Sequence, residues 1–152
     1  MQLSLHAEYA LRVLLYLGTC PDRVVPTKEI SRAYRISRNH LVRVVQTLAE
    51  NGFLRVAPGR FGGAALAIEP ARIRLGDVVR QAEPNLRMAE CFDKQANTCV
   101  ITPVCSLKPV LKEALSSFLT TLNGYTLADL LADGAGQRMA TKFVSITGPT
   151  RD

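Results

Sequence analysis

Three of the four cysteines lie close together in one segment of the chain. Cys91, Cys99 and Cys105 fall within fifteen residues that show neither helical nor strand periodicity. A loop of this kind can turn each side chain toward one centre, and thiolate sulfur is a preferred donor for both zinc and iron-sulfur iron. The spacing therefore predicts a metal site. Because it contains no CxxC pair, it does not name the metal.

Two alternatives to a metal stay open on spacing alone: a disulfide with one spare thiol, or three cysteines that only pack. The compartment bears on this choice. The apolar run at residues 9–18 is interrupted by Arg12 and is too short to span a bilayer, so we expect a cytoplasmic protein with no membrane partner. Thiols stay reduced there, which favours a metal over a disulfide.

Positive charge is concentrated in the first half of the chain. The net charge of the 152 residues is +6, and residues 1–74 carry eleven Lys and Arg against five acids, whereas the remainder balances at eight each. With 47% apolar residues the chain can also bury a core. A basic half joined to a neutral half is typical of a nucleic-acid-binding module attached to a sensing or dimerising module.

Two helices joined by a short turn are predicted in the basic half. Thr27 is expected to cap the first, and Ser37 to cap a second helix that runs to about residue 50. The second helix turns four apolar side chains inward: Leu41, Val44, Val45 and Leu48. Its outer face carries side chains suited to phosphates and base edges, namely Arg38, Asn39, His40, Arg43 and Gln46. This arrangement is typical of a helix-turn-helix.

A β-hairpin is predicted directly after these helices. Residues 53–56 and 64–68 are strand candidates on either side of a turn-rich tip, Ala-Pro-Gly-Arg-Phe-Gly-Gly. The glycines allow a close approach to a nucleic-acid backbone, and Arg60 can enter a minor groove. We therefore expect residues 1–83 to be a winged helix-turn-helix, mostly α with a small β-hairpin wing. Its predicted DNA-binding residues are Thr27, Ser37, Arg38, Asn39, His40, Arg43 and Arg60.

The neutral half contains the strongest helical pattern of the chain. A short helix at 74–83 leads to the cysteine loop, taken as 84–106, and eight apolar side chains then recur at steps of three and four from Leu107 to Leu122. One small winged domain does not need so long an apolar stripe, so we predict a dimerisation helix. Within residues 107–132 a capping box at Thr126 and Asp129 opens a short terminal helix. Residues 133–152 are predicted to be a loose tail.

Several segments, in order along residues 1–132, carry a resemblance to a known family. They include EYALR at 8–12, ISRNHLVRVV at 36–45, GRFGG at 59–63, ECF at 90–92, NTCVITPVCSLK at 97–108 and YTLADL at 125–130. In these segments the chain resembles the NsrR repressors, the nitric-oxide-sensing members of a family of dimeric winged-helix repressors that carry iron-sulfur clusters.

The resemblance implies an iron-sulfur cluster, 4Fe-4S with 2Fe-2S as the alternative. Its ligands would be Cys91, Cys99, Cys105 and a fourth group that is not a cysteine. In NsrR an acid on the first helix of the partner subunit supplies that group, and Glu8 stands at the matching position. Local spacing alone favours a different interpretation of Glu8, an exposed salt bridge with Arg12 four residues on. Cys20 matches no cluster position.

The implied function is a nitric-oxide-sensitive transcriptional repressor. It would bind an inverted-repeat operator in double-stranded DNA as a homodimer, with its affinity controlled by the cluster. Two alternatives remain: an iron-responsive repressor of the RirA group, which has a similar cysteine spacing, and a zinc-stabilised DNA-binding protein. An enzyme is disfavoured, because the only histidines are His6 and His40 and no catalytic triad or phosphate loop is present.

Overall fold

The computed structural model describes residues 2–59 and 62–148. Over these ranges the chain forms seven α-helices and a two-stranded antiparallel sheet. The helices are α1 (Leu5–Gly18), α2 (Thr27–Tyr34), α3 (Arg38–Glu50), α4 (Leu75–Ala82), α5 (Leu107–Asn123), α6 (Leu127–Leu131) and α7 (Ala135–Thr147). The strands are β1 (Leu54–Ala57) and β2 (Gly63–Leu66). The predicted class, mostly α with a small β-hairpin wing, is confirmed.

The first helix, α1, lies at the centre of the fold and packs against α3, α4, α6, α7 and β2. Its core-facing side chains include Ala7, Ala10 and Leu14, which recur at helical spacing. Ser4 caps the helix by accepting a hydrogen bond at Oγ from the Ala7 N–H at 3.2 Å. Because α1 is held by the core, the backbone position of every polar residue on its outer side is held as well.

The turn between α2 and α3 is tight. Arg35 ends α2 in the left-handed region at φ 55°, and the Ser31 hydroxyl donates to the Ile36 carbonyl at 2.7 Å. The predicted cap of α2 is wrong by one residue, because Pro26 occupies the cap position and Thr27 begins the helix. Ser37 does stand at the cap of α3, although its side chain makes no capping hydrogen bond.

The wing is fixed at its root to the segment that precedes α2. Strands β1 and β2 pair from Leu54 with Leu66 to Ala57 with Gly63. Val25 also pairs with Ala64, through N–H to carbonyl distances of 2.8 and 2.9 Å. This approach requires the glycine at position 63, since a Cβ there would lie 2.2 Å from the Val25 carbonyl oxygen.

The last part of the chain differs from its prediction. A loose tail over residues 133–152 is wrong for Ala135–Thr147, which form the helix α7; residues 149–152 lie outside the described residues. Phe143 docks α7, with its ring centroid 4.5 Å from that of Tyr16 and 5.3 Å from that of Tyr34. The sequence of α7 lacks a clear apolar period because this helix buries only one side chain.

The long helix α5 leaves most of its apolar stripe uncovered in a single chain. Leu119 is the one buried residue of α5, and Leu107 and Val110 are each 59% exposed. The capping box that opens α6 is confirmed, with the Thr126 and Asp129 side chains each bonded to the other's backbone N–H. The uncovered stripe has the character of a surface that packs against another helix.

Candidate metal centre and nucleic-acid interface

The three clustered cysteines lie on the loop between α4 and α5. Cys91 is the middle residue of a 3-10 turn, Glu90–Phe92, and Cys105 directly follows a second turn, Thr102–Val104. Cys99 lies between the two turns. All three are half-buried free thiols, so no disulfide joins them. They are available as thiolate ligands.

The loop is braced by its own side chains. Asn97 is the central residue of this bracing: its Oδ1 accepts from the Cys99 N–H at 3.2 Å and its Nδ2 donates to the Thr102 hydroxyl at 3.0 Å. Arg87 also pairs with Asp93 across the first turn. Every side-chain hydrogen bond found in the described chain for residues 84–106 joins two loop residues. These hydrogen bonds brace the loop internally and, within the described chain, tie none of its side chains to the helices.

Apolar side chains next to the thiols are left in solvent. Val100 is 90% exposed, Val104 85% and Ile101 56%, and all three lie in the segment that joins Cys99 to Cys105. Exposed aliphatic side chains that form a contiguous stretch mark a surface that another group covers. In a single chain nothing described covers them.

A single chain does not gather a complete metal site. Within residues 2–59 and 62–148, no group of three or more His, Cys, Asp or Glu side chains lies close enough together to hold a metal ion. Glu8, the predicted fourth ligand, pairs with Arg12 one turn along α1. The salt bridge expected from local spacing is therefore present, and the two side chains remain 35% and 39% exposed respectively.

Arg12 also lies near two aromatic rings, one on α1 and one on α2. Its guanidinium carbon lies 5.7 Å from the ring centroid of Tyr9 and 5.8 Å from that of Tyr34 in α2. Burial raises the pKa of Tyr34 to about 12, so its hydroxyl stays neutral near pH 7. Arg12 thus keeps two contacts that do not depend on Glu8, and the Glu8 carboxylate can leave it without leaving the cation bare.

A second polar cluster connects α1 to α2. The Tyr16 hydroxyl donates to Glu29 Oε1 at 2.8 Å, and Arg23 donates to Glu29 Oε2 at 3.0 Å. Burial would raise the pKa of Glu29, but the hydrogen bonds from Arg23 and Tyr16 outweigh it and hold that pKa below its ordinary value. Cys20 belongs to this cluster and not to the loop, with its sulfur 3.8 Å from Arg23 Nη2.

The predicted reading face of α3 is exposed, and its predicted core residues are buried. Leu41, Val44, Val45 and Leu48 have 5% exposure or less. Arg38, Asn39, His40, Arg43 and Gln46 are all exposed. Of the remaining DNA-binding candidates, Ser37 is exposed and Thr27 half-buried at the start of α2, and Arg60 lies outside the described residues. The structure thus leaves the exposed helix free to enter a groove.

One face of α3 is attached to α1 by its polar side chains. His6 Nε2 lies 3.1 Å from the Thr47 hydroxyl oxygen, within hydrogen-bond distance. The His40 ring lies 6.4 Å from the Tyr9 ring, centroid to centroid. Residues 6 and 9 of α1 flank Glu8, so the segment that carries the candidate ligand contacts the helix that carries the reading face.

One exposed residue of α3 was missed from sequence. Val42 is apolar and was not assigned to either face, yet it is 49% exposed between Arg38 and Gln46. It lines a cleft of about 590 Å³ between α3, the start of α2 and the wing. The signal was available, because position 42 falls outside the apolar spacing of Leu41, Val44, Val45 and Leu48.

Known proteins share this sequence over most of its length. A family model described as Rrf2, iron-dependent transcriptional regulator, matches residues 3–133. The chain is 48% identical over 143 residues to the HTH-type transcriptional regulator NsrR of Geobacillus kaustophilus (strain HTA426), which covers 93% of this chain and 97% of that protein. Identity to the NsrR regulator of Bacillus subtilis (strain 168) is 43% over 132 residues, covering 86% and 90%.

Solved structures share the fold. T. potens IscR superposes with a TM-score of 0.69 at 24% identity, over 88% of each chain. CymR (YrzC), the global cysteine regulator of B. subtilis, gives 0.67 at 23% identity, over 86% of this chain and 95% of that one. No helix within the described residues is long and apolar enough to cross a membrane. The chain belongs to the Rrf2 family of transcriptional regulators and, within it, to the NsrR group.

Proposed function

We propose that this protein is a nitric-oxide-sensitive transcriptional repressor that binds operator DNA as a homodimer, with its affinity controlled by an iron-sulfur cluster. The observation that carries the proposal is the loop of three free, half-buried thiols in a chain of the NsrR group. It is supported by the exposed reading face of α3, whose polar side chains suit phosphates and base edges.

The donors present fit an iron-sulfur cluster. Cys91, Cys99 and Cys105 would supply three thiolates, and we assign the fourth position to Glu8 of the partner subunit. We take the partner subunit as the source because the resemblance to the NsrR repressors implies it, and because the described residues of one chain gather no complete ligand set. A bound 4Fe-4S cluster would supply iron that reacts with nitric oxide.

The residues of the chain connect this site to the DNA-binding surface in two ways. The cysteine loop runs directly into α5, through Ser106, and α5 presents the uncovered apolar stripe. Glu8 lies on α1, whose residues His6 and Tyr9 contact α3. Ligation by Glu8 would therefore tie the loop of one subunit to the recognition helix of the other. Release of Glu8 would remove that tie and lower operator affinity.

A homodimer gives the DNA-binding surface its two-fold symmetry. We propose that the α5 stripes of two chains pack together, which would cover Leu107 and Val110. A two-fold pair of recognition helices selects an inverted repeat with half-sites about one helical turn apart. We place the protein in the cytoplasm, where its DNA target lies.

The cluster is tested with anaerobically purified protein. Wild type should show the brown absorption of an iron-sulfur cluster, with iron and acid-labile sulfide, whereas a zinc protein would be colourless. Changing Cys91, Cys99 or Cys105 to Ser should remove that absorption, because the remaining thiolates leave iron open to solvent. Cys20→Ser is the matched control, since Cys20 is also a half-buried free thiol but lies beside Arg23. Equal cluster content in all four variants would refute the ligand assignment.

The signal is tested by titrating the loaded dimer on its operator. Nitric oxide should release the DNA and bleach the spectrum at the same ratio of nitric oxide to cluster. Glu8→Ala should still assemble a cluster, but a more labile one, because a carboxylate is a hard donor poorly matched to iron-sulfur iron. If an iron chelator releases the DNA and nitric oxide does not, the protein is iron-responsive instead.

The DNA surface is tested by salt dependence. Arg43→Ala should weaken operator binding and lower the slope of log affinity against log salt by about one, if Arg43 contacts a phosphate. Arg138→Ala on α7 is a control that also removes one exposed cation. Equal losses in the two variants would show that only net charge matters.

A further inference from the structure

An exposed aliphatic side chain stands in the middle of the DNA-binding face of α3. Val42 is 49% exposed, and the polar residues Arg38 and Gln46 lie one turn before and after it. Residues four apart stack on one side of a helix, so the isopropyl group lies between a guanidinium and an amide. Packing does not account for its apolar character, because the core side of α3 is filled by other residues.

The surroundings of Val42 carry more cations than acids. It lines the cleft between α3, the N-terminal end of α2 and the wing, together with Lys28 and Arg38. The lining contains one acid, Glu50, which accepts a hydrogen bond from Gln46 Nε2 at 2.9 Å, and α3 adds the exposed Arg43. A polyanion is the partner that this charge favours.

The chemistry of the base edges limits which base Val42 can favourably contact. In the major groove each base pair presents hydrogen-bond donors and acceptors, and thymine alone adds a methyl group at C5. An isopropyl group can satisfy neither a donor nor an acceptor, and it would cover the polar edge of guanine, adenine or cytosine without replacing its hydrogen bonds. Contact with a thymine methyl removes apolar surface from water on both sides.

We propose that Val42 is a specificity-determining residue that packs against the C5-methyl of one thymine in each operator half-site, between the bases or phosphates contacted by Arg38 and Gln46. This inference requires DNA binding by α3 but not the cluster or the nature of its signal.

The test removes the methyl group of thymine and the methyl groups of Val42 in separate experiments. The operator is first selected from a random duplex pool with the full-length, anaerobically purified dimer. Each thymine of the selected half-site is then replaced by deoxyuridine, which lacks only the C5-methyl, and affinity is measured by fluorescence anisotropy. Wild type should lose about fourfold at one thymine position per half-site, the size expected for one buried methyl group.

Val42→Ser replaces the isopropyl group by a hydroxymethyl group and so removes both methyl groups, whereas threonine would keep one that can still contact thymine. Val42→Ser should bind the thymine and deoxyuridine operators with equal affinity at that position. Val144→Ser is the matched control: Val144 is 57% exposed but lies on α7, away from the cleft lining, so the fourfold discrimination should persist.

The outcomes separate this inference from the wider function. If wild type tolerates deoxyuridine at every position, or if Val42→Ser discriminates as wild type does, the inference is overturned while DNA binding stands. If the selection yields no recurring sequence, sequence-specific DNA recognition itself fails, and the inference fails with it.

Discussion

Replacing Phe143 by alanine should detach α7 from the rest of the protein. Phe143 is 9% exposed, is the one buried residue of α7, and packs against Tyr16 in a tilted and Tyr34 in an edge-to-face arrangement. Removing a buried phenylalanine costs roughly 3–5 kcal/mol. Since this ring lies at the edge of the core, we expect the lower end, about 3 kcal/mol, a figure that includes two aromatic pairs of about 0.5–1.5 kcal/mol each.

The consequence depends on how stable α7 is by itself. A helix of 13 residues is marginal in water without tertiary packing. Once its anchor is removed, α7 should unfold locally while α1 to α6 stay folded. Circular dichroism at 222 nm should lose the signal of about one helix of this length. Trypsin should cut at Arg138 and Lys142 faster than it cuts the same two sites in wild type.

Val144→Ala provides the control from the adjacent position. Val144 is 57% exposed, so its truncation should change stability by less than about 0.5 kcal/mol and leave both cleavage sites protected. If Phe143→Ala shows the helical signal, the melting temperature and the trypsin pattern of the control, then α7 is not held by the aromatic cluster and the reasoning is refuted.

Three further predictions concern stability, assembly and coupling. Folding lowers the pKa of Glu29, so its carboxyl stabilises the fold only while it is ionised, and this contribution is lost as the pH falls below about 4. Glu29→Gln should therefore be less sensitive to acid than wild type. Melting temperature measured against pH checks this, and parallel curves for both proteins would contradict it. Leu111→Lys with Leu115→Lys should give monomers with weak operator binding, as measured by light scattering, and an unchanged mass would reject the α5 interface. His6→Ala should lower operator affinity by about threefold to tenfold at unchanged cluster content, because it loosens α1 from α3. If His6 and Thr47 act through one hydrogen bond, the double variant with Thr47→Val should lose no more affinity than His6→Ala alone.

The helices of the DNA-binding half could be predicted because their apolar spacing is a local property. The inward residues of α3 and α4 recur at three and four residues and are buried as that spacing requires. The capping box at Thr126 and Asp129 involves residues three apart, so its geometry is also available from sequence. The cysteine loop was found by residue type, since no other segment places three thiols so close together. Its role as a ligand set, and that of the DNA-binding residues, remain predictions.

Contacts between residues far apart in sequence decided the rest. Phe143 orders α7 only because Tyr16 from α1 and Tyr34 from α2 meet at one place, and no spacing within residues 133–152 reports on those rings. Val42 falls outside the apolar spacing of α3, but only the folded chain places it in a cleft with the start of α2 and the wing. The pairing of Glu8 with Arg12 is local, whereas the proposed ligation by Glu8 would involve another subunit. By itself, then, the sequence determined which segments form helices and which side chains carry chemistry, because backbone periodicity and functional-group chemistry are properties of short stretches. The tertiary structure decided which of those side chains meet, because distance between residues remote in sequence is set only when the core packs.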